Sequence, residues 1–144
     1  KGHTTNYLHA YRLTETMNFA VGDTTSDTFY GALDVLINAL QNRCPTALIY
    51  AVIPPMGWQP NNNFDMETKT NIGSFEDVAT AIRKMAAKYA LPVLDIMHDS
   101  ALNPKNDSIK AAFFSDGVHL NATGEKVLAS MHIGFLREHC RYTW

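Results

Sequence analysis

Asp116 and His119 stand three residues apart in the stretch Phe114-Ser115-Asp116-Gly117-Val118-His119-Leu120-Asn121-Ala122-Thr123-Gly124. An acid and an imidazole so close on one turn can act together. The carboxylate fixes the ring tautomer, and the other ring nitrogen takes a proton from a nucleophile. That is two-thirds of a catalytic triad, with His119 as general base and Asp116 as its orienting, charge-stabilising partner. Asp-Gly is also a common turn pair, so a solvated loop is the competing reading. The surroundings favour the chemical one: the apolar run Ile109, Ala111, Ala112, Phe113, Phe114 precedes the pair, Asn121 is a good helix N-cap, and an amphipathic segment over residues 122–139 follows. What the sequence lacks is an equally clear nucleophile.

The other chemistry-bearing residues are weaker. Ser100 follows His98-Asp99 at the end of an apolar run, but no Gly-x-Ser-x-Gly elbow surrounds it, and a serine there reads as a capping residue. His132 falls inside the last helical segment as a packed or surface residue, and His139 near its end suits the helix dipole. His3 and His9 lie in a polar N-terminal stretch. His98, Asp116 and His119 are metal-ligand types, but no paired spacing supports a site, so neither metal nor other cofactor is expected. Cys44 and Cys140 lack metal spacing, and a single disulfide between them is possible but not deducible.

Positioning these residues requires a framework. The spacing of Phe29, Leu33, Leu36, Ile37 and Leu40 predicts a helix over residues 28–42, capped by Ser26 or Asp27. Residues 47–53 form a short continuous apolar run ending at Pro54-Pro55, the signature of a strand buried on both faces. The loop of residues 56–72 carries Trp58, Gln59, Pro60 and Phe64. It is long enough to be functional, and since ligands in α/β sheets bind at the carboxyl ends of strands, Trp58 is expected on the substrate wall. Ser74-Phe75-Glu76-Asp77 is a capping box opening a helix to about Tyr89, with Val78, Ile82, Met85 and Ala86 inward. A second buried strand follows over residues 92–97. Strand, helix, strand, helix implies a parallel sheet with helices on its faces.

The acid–histidine block resembles the last motif of the SGNH (GDSL-type) hydrolases, where Asp-x-x-His sits near the chain end just before a final helix. The resemblance extends back through Leu102-Asn103-Pro104, Thr46-Ala47-Leu48-Ile49-Tyr50-Ala51-Val52-Ile53-Pro54-Pro55 and Asp27-Thr28-Phe29-Tyr30-Gly31-Ala32-Leu33. It covers the chain from about Asp23 onward, and its specificity rests mainly on residues 113–128. It implies a three-layer, flavodoxin-like α/β fold and a serine esterase or lipase-type acyl hydrolase acting on a small acyl or carbohydrate ester.

The family's serine lies in a Gly-Asp-Ser block that this sequence lacks; its only Gly-Asp, Gly22-Asp23, is followed by Thr24. The motif supplying an oxyanion-hole asparagine corresponds to Gly2-His3-Thr4-Thr5-Asn6-Tyr7, which makes Asn6 the oxyanion candidate, out of register with the family pattern. The chain opens on Lys1 with no Met and no targeting segment. The expectation is a single domain, residues 1–144, forming the C-terminal part of such a hydrolase, incomplete at its N-terminus and with the serine elsewhere. Two strands leave apolar edges, so a homo-oligomer or a companion chain supplying strands is also expected. The competing function is an inactive binding or assembly module built on an esterase fold.

Composition narrows the partners. The 144 residues, 46% of them apolar, suit one globular domain. A net charge of −2 with scattered Lys and Arg gives no basic stripe and implies no nucleic-acid partner. No run approaches the roughly 18 apolar residues of a membrane span, and nothing fixes the compartment. Two Asn-x-Ser/Thr sequons, at Asn106 and Asn121, bear on glycosylation only in a secretory route.

Overall fold

The computed structural model describes residues 29–58 and 74–139. Its order is α1 (Phe29–Arg43), β1 (Ala51–Ile53), α2 (Phe75–Lys88), β2 (Val93–Asp95), α3 (Ile96–Asp99), α4 (Asp107–Phe113) and α5 (Ala122–His139). The two strands pair in parallel, Ala51 opposite Val93, Val52 opposite Leu94 and Ile53 opposite Asp95. A parallel pair needs a crossover, and α2 provides it. The expected α/β class with a parallel sheet is therefore what the chain forms.

Helix α2 starts where its capping box requires. Ser74 Oγ accepts from the Asp77 N–H at 3.1 Å, and Asp77 Oδ2 accepts from the Ser74 N–H at 2.9 Å. Its buried residues are Ala79, Ala81, Met85 and Ala86, while Val78 and Ile82 are partly buried. One face joins Tyr30 and Ile37 of α1, with Phe29, Leu33, Tyr89 and Leu91 packed around them. The other joins Ile53 and Met97, with Met56, Phe75, Ile82 and Val93 alongside. Ile53 and Met85, at 0% and 1% exposure, each contribute about 1.5–3 kcal/mol by leaving water.

Three expectations need correction. The inward face of α1 is only part of the expected stripe: Ile37 is buried and Phe29 and Leu33 pack beside it, but Leu36 and Leu40 are 53% and 42% exposed, and Tyr30, Gly31 and Asp34 are buried in their place. The cause is polar. Buried Asp34 takes Lys88 and Tyr89 of the α2 end as partners, and Asn38 Nδ2 donates to the Tyr89 hydroxyl at 2.6 Å. A buried carboxylate must be satisfied, so this cluster sets the rotation of α1 on α2.

The first strand spans only Ala51–Ile53 rather than residues 47–53. Ala47 closes a turn onto the Cys44 carbonyl at 3.0 Å, Leu48 is 40% exposed, and within the strand only Ile53 is buried. The second run likewise stops at Asp95, because that side chain caps α3 by accepting from the His98 N–H at 3.2 Å.

Helix α4 did not figure among the expected elements. Asn106 Oδ1 caps it by accepting from Ser108 and Ile109 at 3.0 and 3.2 Å, and the helix has no buried residue. Helix α5, in contrast, occupies the expected residues. Asn121 Oδ1 accepts from Thr123 and Gly124 at 2.9 and 3.1 Å, while its Nδ2 donates to the Ala112 carbonyl at 3.1 Å. Gly124 is buried in the first turn, where a Cβ would stand 2.3 Å from the Phe113 carbonyl oxygen. Farther along α5, His132 Nδ1 lies 3.2 Å from the Tyr50 hydroxyl and Phe135 packs on the Tyr50 ring, so His132 is a packed residue.

Candidate active site

The loop between α4 and α5 is closed at its base and open at its tip. Phe114 and Leu120 form a bridge, the Ser115 N–H donates to the His119 carbonyl at 2.9 Å, and the Asn121 N–H donates to the Phe113 carbonyl at 2.9 Å. Ser115 Oγ also donates to the His119 carbonyl, at 3.0 Å. This serine therefore holds the loop together.

Inside the loop, Asp116 is held from three directions. Its Oδ1 accepts from the backbone N–H groups of Val118 and His119 at 2.8 and 2.7 Å, and its Oδ2 lies 2.7 Å from His119 Nδ1. Hydrogen bonds from the His119 backbone, then from its ring, then from Val118 keep the Asp116 carboxyl well below the usual carboxylate range. An ionised carboxylate only accepts, so Nδ1 of His119 carries a proton, and in the neutral ring Nε2 is the nitrogen that presents a lone pair. The His119 side chain is 77% exposed, which leaves Nε2 open to a reacting group.

A third element meets this loop. The Trp58 N–H donates to the Gly117 carbonyl at 2.8 Å, and Gly57 is buried against Val118. Gly117 has φ +92°, and a Cβ on it would stand 2.4 Å from the Trp58 carbonyl oxygen. Both the left-handed backbone and the close approach call for glycine here. Lys110 of α4 completes the group, its Nζ 5.4 Å from the Trp58 ring centroid.

Among the expected site residues, the structure thus joins Asp116, His119 and Trp58. Asn6 and most of the loop of residues 56–72 lie outside the described residues, as does Cys140, while Cys44 is an exposed free thiol. Ser100 does a structural job: its Oγ accepts from the Leu102 N–H at 3.1 Å. Among the described residues no hydroxyl is hydrogen-bonded to His119 Nε2, and no three His, Cys, Asp or Glu side chains converge as metal ligands. A surface cavity of about 320 Å³, lined by Leu40, Cys44, Ala47, Leu48, Ile49 and Tyr50, contains none of these site residues. No helix among the described residues is long and apolar enough to cross a membrane.

His98 belongs to a network that was not expected from the sequence. Its Nδ1 lies 2.8 Å from Asp95 Oδ1 and its Nε2 2.9 Å from Glu76 Oε2. Arg83 donates to Asp95 Oδ2 from Nη2 at 2.6 Å and to Glu76 Oε1 from Nη1 at 3.3 Å. The hydrogen bond to Asp95 and the nearby Glu76 carboxylate raise the His98 pKa against the opposing effect of burial. The signal available was the second Asp-x-x-His, Asp95-Ile96-Met97-His98.

Residues 13–127 match the model of the GDSL-like lipase/acylhydrolase family. A solved structure of a protein from Lactobacillus plantarum is similar at 27% identity and a TM-score of 0.77, covering 88% of this chain and 61% of its own. A possible lipase from Chitinophaga pinensis is similar at 20% identity and a TM-score of 0.68, covering 93% and 69%. The chain thus spans about three-fifths of the Lactobacillus protein's length. No curated protein matches the sequence. With an Asp–His pair on the loop before the last helix, a parallel α/β core, and a family match over most of its length, this chain belongs to the GDSL-like lipase/acylhydrolase family.

Proposed function

We propose that this chain carries the acid–base half of an ester-hydrolysing site. The observation that carries the reading is the 2.7 Å contact between Asp116 Oδ2 and His119 Nδ1, with the ring otherwise exposed. In the proposed cycle, a serine Oγ attacks the ester carbonyl while its proton passes to His119 Nε2, and the imidazolium then gives that proton to the departing alcohol. Water attacks the acyl-enzyme, Nε2 takes its proton, and the acid leaves as the serine recovers its hydrogen. Asp116 holds the ring and stabilises the imidazolium at each stage. The serine is proposed to come from outside this chain, and Asn6 is proposed as a donor to the oxyanion.

A second reading is a non-catalytic binding module that keeps the Asp116–His119 loop and Trp58 without a nucleophile. Treatment with a fluorophosphonate followed by intact-mass analysis separates the two. An adduct on a second, serine-bearing chain that fails to form with His119→Ala supports the hydrolase, whereas a stoichiometric adduct on this chain would place the serine within it. Absence of any adduct and of ester turnover with the serine-bearing segment present supports the binding module.

A further inference from the structure

The cation beside the acid–base loop has no part in the proton transfers proposed above. Lys110 projects from α4 toward Gly117: a Cβ on Gly117 would stand 3.0 Å from Lys110 Cε and 3.4 Å from its Nζ. The ammonium is therefore next to a residue flanked by Asp116 and only two positions from His119. Its aromatic neighbour is Trp58, whose ring centroid is 5.4 Å from Nζ.

Among the described residues Lys110 forms no ion pair, whereas Lys88 is paired with Asp34 and Arg83 with Glu76 and Asp95. Asp116 Oδ2 is engaged by the His119 ring and Oδ1 by two backbone N–H groups. An indole face attracts a cation through its quadrupole but carries no net charge. Among the described residues the positive charge of Lys110 thus has no carboxylate partner, and it sits at a half-buried position, where screening by water is weaker than on an open surface. Trp58, tied to Gly117 through its backbone, adds a flat apolar surface beside that charge.

We propose that Lys110 and Trp58 form a recognition wall for esters that carry an anionic group, carboxylate or phosphate, next to an apolar or ring portion. Lys110 takes the anion by a charge-assisted hydrogen bond, and Trp58 takes the adjoining flat group. The inference rests on the loop being the ester site, and it names the substrate class of that site.

The test measures binding by titration calorimetry at low salt, using probes without a carboxylic ester bond so that turnover is not required. The probes are N-phenylsuccinamate, which bears a carboxylate, N-phenylbutanamide, which is neutral, and phenyl phosphate. Wild type is expected to bind one or both anionic probes at least tenfold more tightly than the neutral one. Lys110→Met, which keeps the stem over Trp58, is expected to bring that ratio to within twofold, and Lys110→Arg to restore it. The stronger of the two anionic arms identifies carboxylate or phosphate.

No binding of either anion by wild type, equal affinity for charged and neutral probes, or a preference surviving in Lys110→Met overturns the proposal. Hydrolysis of 4-nitrophenyl butyrate by wild type and His119→Ala, each in the presence of the segment that supplies the serine, is measured in parallel. Anion preference without turnover sinks the hydrolase reading and keeps the wall. His119-dependent turnover without anion preference does the reverse.

Discussion

Trp58 donates its backbone N–H to the Gly117 carbonyl at 2.8 Å, and this bond ties the segment leaving β1 to the loop that carries Asp116 and His119. A side chain at position 117 would meet both a left-handed φ of +92° and the Trp58 carbonyl oxygen. Gly117→Ala is therefore expected to lower stability by about 1–3 kcal/mol through backbone strain alone, with more from the collision. Urea unfolding measures the loss, and the His119 Nδ1 proton signal reports whether the Asp116 contact survives. A variant as stable as wild type would refute the close approach.

Asp116→Asn keeps a side-chain oxygen for the Val118 and His119 N–H groups but places an amide where Oδ2 faces the ring. The amide donates, so His119 is expected to move its proton to Nε2 and lose its function as a base. In the hydrolase reading kcat/KM should fall by about four orders of magnitude, with nitrogen NMR showing the reversed tautomer. Retained turnover with a reversed tautomer would remove Asp116 from the mechanism.

The Arg83, Glu76, Asp95 and His98 network gives stability a pH dependence of definite sign. His98 is raised in the folded chain, so its contribution is fully present below the ordinary histidine value of about 6.5 and is lost as pH rises through the folded value. For Asp95, burial acts to raise the pKa but hydrogen bonds from His98 and Arg83 outweigh it, so the carboxyl is lowered. Its contribution falls away only in acid, as pH drops through the folded value. Over the interval from the ordinary histidine value of about 6.5 up through the folded His98 value, the histidine therefore dominates. His98→Gln should flatten the fall of Tm across that interval in thermal melts, and an undiminished fall would assign the dependence to other groups.

Gly124 packs in the first turn of α5, where an added methyl would lie 2.3 Å from the Phe113 carbonyl oxygen and 2.8 Å from Leu120 Cδ2. Gly124→Ala is expected to cost about 1–3 kcal/mol by overpacking, despite alanine's better helix propensity. Asn121→Ala should cost about 1 kcal/mol from the lost cap. Circular dichroism melts of the two variants measure both, and a stabilised Gly124→Ala would show that α5 can shift off α4.

What was legible in the sequence was what local chemistry decides. Asn121 and the apolar period fixed α5, Ser74 and Asp77 fixed the start of α2, and the three-residue spacing of Asp116 and His119 sufficed to predict their contact. What was not legible depends on tertiary partners. The rotation of α1 follows from Asp34 meeting Lys88 and Tyr89, residues more than fifty positions away in the chain. Helix α4 has seven residues, none buried, and so leaves little periodic signal. The strands are shorter than their apolar runs because the Cys44–Ala47 turn and the Asp95 cap intervene. Trp58 was expected on the substrate wall, but its bond to Gly117 and the approach of Lys110 required the folded chain.

The most direct measurement of the central claim is the rate of 4-nitrophenyl butyrate hydrolysis by wild type and by His119→Ala at pH 7.5, with circular dichroism to show that both are folded. With the segment that supplies the serine present in both samples, the account predicts measurable wild-type turnover and a fall of three or more orders of magnitude in kcat/KM for the variant. Equal rates in the two folded proteins under that condition would contradict it.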